Sequence, residues 1–228
     1  VSGLHTNTAF RLSFEQIMDL TRLAVGVVRK LHPQARVQVE IAQPWGEYYT
    51  ANRRSLPPTL YAEMLLQAGV PVDTIGLRLE MGVPGVGLSC RDPAAVSALL
   101  DQYAALDRPI AITAAAAPAL PMPVPADNPE VEPGWWRRPW DEQAQAAWMN
   151  AVLSTALAKP AVQSVTWAEV MDTPASPEVS TCGLLTAEGR PRAAFDRLVA
   201  LRKAVTAGVL PDSAGPDPRR TEPALTPG

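Results

Sequence analysis

The sequence predicts an α/β fold in which short parallel strands alternate with helices. Two observations carry this. Stretches of helical periodicity and short β-branched runs take turns along the chain, the pattern of βαβ units. The 24 prolines, about twice the usual share, stand mostly between those stretches and in the tail.

The elements follow in order. "LSFEQIMDLTRLAVGVVRKL" reads as an amphipathic helix with Phe14, Ile17, Leu20, Leu23, Ala24, Val27 and Val28 on one stripe. Ser13 and Gln16 have capping-box spacing, and Pro33 follows the end. "ARVQVEIAQ" alternates as a strand does. "PPTLYAEMLLQAG" is a helix closed by Gly69, and "PVDTIGLRLEMG" is the next strand. In "RDPAAVSALLDQYAAL" Asp92 caps a helix with Pro93 at its first position, and "RPIAIT" is its strand. "WDEQAQAAWMNAVLSTAL" and "AVQSVTWAEV" repeat the order, and "RPRAAFDRLVALRKAV" is the closing helix. With a strand stub at Val1, five strand ends and five helices are expected. The proline-rich residues 208–228 have the composition of a disordered tail.

Composition excludes several classes of function. A formal net charge of −3 and no basic cluster larger than Arg53-Arg54 or Arg137-Arg138 argue against nucleic acid as a partner. No run approaches the roughly 20 apolar residues of a membrane span. Cys90 and Cys182 lack metal-ligand spacing; they can pair as one disulfide or stand as inert thiols. His5 and His32 are too few for a His-based metal site, so neither metal nor cofactor is expected. No G-x-G-x-x-G or P-loop is present, and the glycine-rich "GVPGVGLSC" reads as a surface loop. The sequence opens on what looks like a strand end, so more of the protein is expected upstream.

Four stretches resemble, in order, the second half of the barrel of family 10 glycoside hydrolases, the xylanase family. "AGVPVDTIGLRLEMG" is similar to that family's sixth-strand pattern, G-x-P-[IV]-D-x-I-G-x-Q-x-H. "LLDQYAALDRPIAIT" is similar to the helix and seventh strand that run into I-T-E-L-D. "QAAWMNAVLSTALAKPAVQSVTWAEVMD" resembles the Q-A-x-x-Y helix and the eighth strand with W-G-x-x-D, and "GLLTAEGRPRAAFDRLVALR" the closing helix. "VSGLH" falls where the fourth strand ends. The resemblance implies the C-terminal half of a (β/α)8 TIM barrel over residues 1–207, about strands 4/5 to 8. Since a whole barrel takes about 250 residues, the N-terminal half is expected upstream or in another chain. The resemblance also makes an extracellular or periplasmic location plausible; the sequence itself assigns no compartment.

The family's chemistry does not carry over with its strands. A retaining glycosidase needs a nucleophile and an acid/base, two carboxyls about 5–5.5 Å apart. The family's nucleophile is the Glu of I-T-E-L-D, and here Ala114 follows Ile112-Thr113. Its acid/base Glu ends the fourth strand, where Gly3 aligns; the sixth-strand Gln and His become Arg78 and Glu80. Neither alanine nor glycine can attack an anomeric carbon or donate a proton.

Other carboxylates stand where barrel loops hold active residues, beyond the strand C-termini: Glu47, Glu80, Glu169 and Asp172. Glu47 and Glu80 follow neighbouring strands and are the leading displaced catalytic pair. The alternative is that these acids bind Arg78 or Arg53 or are solvated. Glu40, within a strand, is expected to pair with Arg78 inside the barrel. Trp45, Tyr48 and Trp167, with Arg78, are candidates for binding substrate, because flat aromatics suit the C–H faces of sugars. The Trp135–Trp136–Trp140 cluster either joins that cleft or pins its loop, and Trp148 is expected in the core. Three readings follow: a non-hydrolytic barrel that binds an oligo- or polysaccharide, an active glycoside hydrolase with displaced carboxylates, or a purely structural barrel.

Overall fold

A computed structural model describes residues 3–7, 11–122, 132–173 and 181–209. Four strands, β1 (Gln38–Ile41), β2 (Thr74–Glu80), β3 (Ile110–Ala116) and β4 (Val162–Trp167), form one parallel sheet in the order β1-β2-β3-β4. The helices between and around them are α1 (Phe14–Leu31), α2 (Tyr48–Ala51), α3 (Pro58–Gln67), α4 (Pro93–Ala104), α5 (Glu142–Leu157) and α6 (Ala193–Thr206). Sequential order with a helix in each crossover is what a partial (β/α) barrel requires. The strand stub is represented by Gly3, whose N–H donates to Glu40 O at 3.4 Å on the outer edge of β1. Most of the expected tail lies outside the described residues.

Local signals place the helices. Ser13 accepts from Gln16 N at 3.3 Å while the Gln16 side chain accepts from Ser13 N at 2.7 Å, closing a full capping box on α1. Asp92 accepts from Ala94 N ahead of Pro93 in α4, and Asp141 from Ala144 N in α5.

One face of the sheet, carrying Val39, Ile41, Leu77, Leu79, Ile110 and Ile112, is buried under Tyr61, Leu65, Leu100, Tyr103, Trp148 and Met149 of the helices. Each such aliphatic contributes about 1.5–3 kcal/mol by leaving water. The other face carries Gln38, Glu40, Arg78, Glu80 and Thr113 around Gly76. A Cβ on Gly76 would meet Thr113 Cγ2 at 2.9 Å and Gln38 Nε2 at 3.0 Å, so a glycine lets those side chains close over the strand.

Two sequence expectations are corrected. Of the stripe proposed for α1, Ile17 is buried and Ala24 half-buried, while Phe14, Leu20, Leu23, Val27 and Val28 are exposed. Ile17, Met18, Thr21 and Val25 face the core, while Leu20, Leu23, Val27 and Leu31 lie exposed along another flank. The helix is apolar on two sides, and periodicity cannot rank them. The strand expected in "RPIAIT" does not stop at Thr113: β3 runs on through the alanines to Ala116. Ala116 O accepts from Met81 N at 3.0 Å, and Ala115 O from Ala168 N at 2.9 Å. The short helix α2 starts at the end of "QPWGEYY", a stretch with no helical periodicity.

Candidate functional site

The C-terminal ends of the strands and the loops beyond them form the mouth of the partial barrel. Arg78 and Ala114 are register partners across β2 and β3, as are Glu80 and Ala116, just past a register shift after Leu77. Ala114 is 6% exposed, so its methyl group lies within the packed strand end.

Arg78 is exposed and makes its ion pair with Glu80, Nε to Oε2 at 3.5 Å, not with Glu40 as the sequence suggested. Side chains two apart on one strand share a face, which brings Glu80 alongside Arg78. Burial holds the Glu80 carboxyl above the usual carboxylate range. Arg78 opposes that shift, while the negative charges of Glu40 and Glu169 add to it. Glu40 and Glu169 therefore each lie within electrostatic reach of Glu80.

Glu47 goes elsewhere. Its carboxylate binds Arg91, the residue before the α4 cap. The Arg91 guanidinium also lies 5.5 Å from the Trp45 ring centre. This cluster ties the β1–α2 loop to the β2–α4 loop. Arg53, the other partner anticipated for the acids, lies over the Tyr49 ring at 5.1 Å. Asp172 is buried in a bidentate pair with Arg192, and Arg192 also donates to the Thr181 and Gly183 carbonyls. Arg91 and Arg192 were not singled out in the sequence; both lie at helix starts, where their partners are remote in sequence.

The aromatic candidates divide by burial. Tyr48 is 5% exposed and donates to Leu56 O at 2.5 Å, which seats its ring in the core. Trp167 is 9% exposed and donates through Nε1 to Cys182 O at 2.9 Å. Trp45 is half-buried under Arg91. In the loop ahead of α5, Trp136 and Trp140 are buried, with Trp140 donating to Gly134 O, while Trp135 stands 60% exposed. Trp148 is fully buried and donates to Arg91 O.

Both cysteines are free thiols, and burial pushes each up to about 12. Among the described residues no group of three His, Cys, Asp or Glu side chains is arranged to hold a metal, and no helix is long and apolar enough to cross a membrane.

Solved structures share this architecture. A thermostable mutant of a xylanase from Cellvibrio japonicus matches 79% of this chain and 53% of its own at 17% identity, with a TM-score of 0.57. The chain has the fold of the family 10 xylanase barrel, in part. Xylanase 10B from Thermotoga petrophila, solved with xylobiose, matches 82% of this chain and 52% of its own at 15% identity and a TM-score of 0.58. A GH10 protein from Paenibacillus barcinonensis matches 86% and 53% at 17% identity and 0.58. The chain thus spans about half the length of these family 10 barrels. No protein-family model and no curated protein matches the sequence.

Proposed function

We propose that residues 1–207 are the C-terminal half of a family 10-like barrel that binds an oligo- or polysaccharide without hydrolysing it. The remaining strands come from the protein's upstream part or from another chain. The observation that carries the reading is Ala114: at the strand end where the resembled motif holds its nucleophile, a buried methyl group stands opposite the Arg78 cation. A methyl group offers no lone pair to an anomeric carbon, and Gly3 at the acid/base place offers no proton. The position of β1 and β4 at the ends of the sheet, its polar face and the exposed apolar flank of α1 support a completing half. Trp45, Arg78 and the exposed Trp135 are the side chains we assign to the rim of the sugar cleft, with the buried Trp167 behind them.

Binding is tested by titrating the full-length protein with xylo- and gluco-oligosaccharides while following tryptophan emission. Saturable change supports the reading, and no response at millimolar sugar refutes it.

One observation favours a hydrolytic alternative. Glu80 is a half-buried carboxyl with a raised pKa beside two other acids, the setting from which a general acid is made. Under that reading Glu80→Gln abolishes sugar release from xylan. Glu47 is the other displaced candidate, although its pairing with Arg91 removes it from easy proton transfer.

A further inference from the structure

A cleft of about 530 Å³ opens at the mouth, lined by Asn7, Arg11, Asn52 and Arg54. It lies between the turn that follows the strand stub and the loop that follows α2. We propose that this cleft binds a sugar bearing an oxyanion, a uronate carboxylate or a sulfate ester, through Arg11 and Arg54. The inference rests on the mouth being a carbohydrate site, and it adds the class of sugar.

The two asparagines are framework. Asn7 Nδ2 donates to Leu12 O at 3.0 Å and Arg54 O at 3.1 Å, and Asn7 Oδ1 accepts from Leu12 N at 3.0 Å. Asn52 Nδ2 donates to Thr6 O at 3.1 Å, and Asn52 Oδ1 accepts from Arg54 N at 3.2 Å. Asn7 holds a left-handed backbone at φ 53°, which asparagine tolerates better than most residues. These bonds fix the main chain from which Arg11 and Arg54 project, leaving the asparagine donors spent.

The arginines are different. Neither has an ion-pair or hydrogen-bond partner for its guanidinium among the described residues, although the chain carries a net charge of −3. The nearby Glu47 is committed to Arg91. Two guanidinium groups without a partner among the described residues, both lining one cleft, favour a planar or tetrahedral oxyanion, since guanidinium groups bind such groups through paired N–H donors. A charge-assisted contact is worth about a tenfold gain in affinity over the uncharged analogue.

The test is a chemical-shift titration of the full chain, including the arginine side-chain resonances, with D-glucuronate, D-glucose 6-sulfate, D-glucose and inorganic sulfate. The expected result is that glucuronate or the sulfate ester binds about tenfold tighter than glucose, shifts the Arg11 and Arg54 resonances, and weakens with added salt. The tighter of the two identifies the source of the oxyanion. Arg11→Ala/Arg54→Ala abolishes that preference while keeping the native melting temperature and the binding of neutral xylohexaose. Equal binding of glucose and glucuronate overturns the proposal. So does inorganic sulfate binding as tightly as the sulfated sugar, or an unchanged preference in the double variant. These failures leave neutral-oligosaccharide binding untouched and so are distinguishable from failure of the proposed function.

Discussion

Arg78 and Ala114 stand opposite one another in the parallel ladder of β2 and β3, immediately after the register shift at Leu77. A cation therefore faces the place where the resembled motif carries a carboxylate. Restoring that carboxylate with Ala114→Glu forces a larger, charged side chain into a packed strand end beside Arg78 and destabilises the fold by about 1–3 kcal/mol. It produces no hydrolysis of xylan, because the acid/base position is still Gly3. Reducing-sugar release by the variant contradicts this.

Glu80 is held above the ordinary carboxylate range mainly by burial. A carboxyl with a raised folded-state pKa is a burden on the fold at neutral pH, and the burden is relieved as pH falls and the group takes up a proton. Glu80→Gln accordingly leaves the protein as stable or more stable at pH 7, and its advantage shrinks at pH 4. Thermal unfolding at the two pH values reads this directly.

His5 gives the opposite slope. It is buried between Tyr48 and Tyr61, with ring centres at 5.6 and 5.2 Å, and its Nε2 meets Ala42 O at 2.8 Å. Burial lowers its pKa to about 4, against the Ala42 carbonyl and Glu40, which favour the proton. The folded state thus holds His5 neutral. Its contribution is complete above about pH 6.5 and is lost as pH falls towards 4, an effect on the order of 3 kcal/mol. Denaturant unfolding from pH 7 to 4 is expected to show a shallower loss in His5→Gln than in the parent. Parallel curves would remove His5 from the account.

Asp172 and Arg192 form the most buried ion pair described, with Nη1–Oδ1 at 2.8 Å and Nη2–Oδ2 at 2.6 Å. Asp172 Oδ1 also accepts from Gly183 N at 2.9 Å. Arg192→Met strands a buried carboxylate and costs about 3–5 kcal/mol. Gly183→Ala destabilises by a different route, since its Cβ would lie 2.5 Å from Asp172 N and 2.7 Å from Leu185 O. Urea midpoints of the two variants check both, and a neutral Gly183→Ala contradicts the packing described.

The alternation of helices and strands was legible because each element carries its own signals: the Ser13–Gln16 box, Asp92-Pro93, and the β-branched cores of β1 and β2. The strand character of Ala114–Ala116 was not, because alanine has low strand propensity and only its neighbours' hydrogen bonds reveal the ladder. The buried side of α1 escaped for a related reason, since two apolar flanks give the same period. At the mouth, charge identities were readable and partners were not. Glu47 meets Arg91 and Asp172 meets Arg192 across loop geometry that no sequence spacing encodes. Tyr48 looked like a rim aromatic until α2 turned it inward onto Leu56 O.

The proposed function, a family 10-like barrel that holds sugar without cutting it, is read by calorimetric titration of the full-length protein with xylohexaose, followed by chromatography of the cell contents. Saturable heat and an intact hexasaccharide are expected. Shorter xylo-oligosaccharides in the cell, or no heat at millimolar sugar, would contradict it.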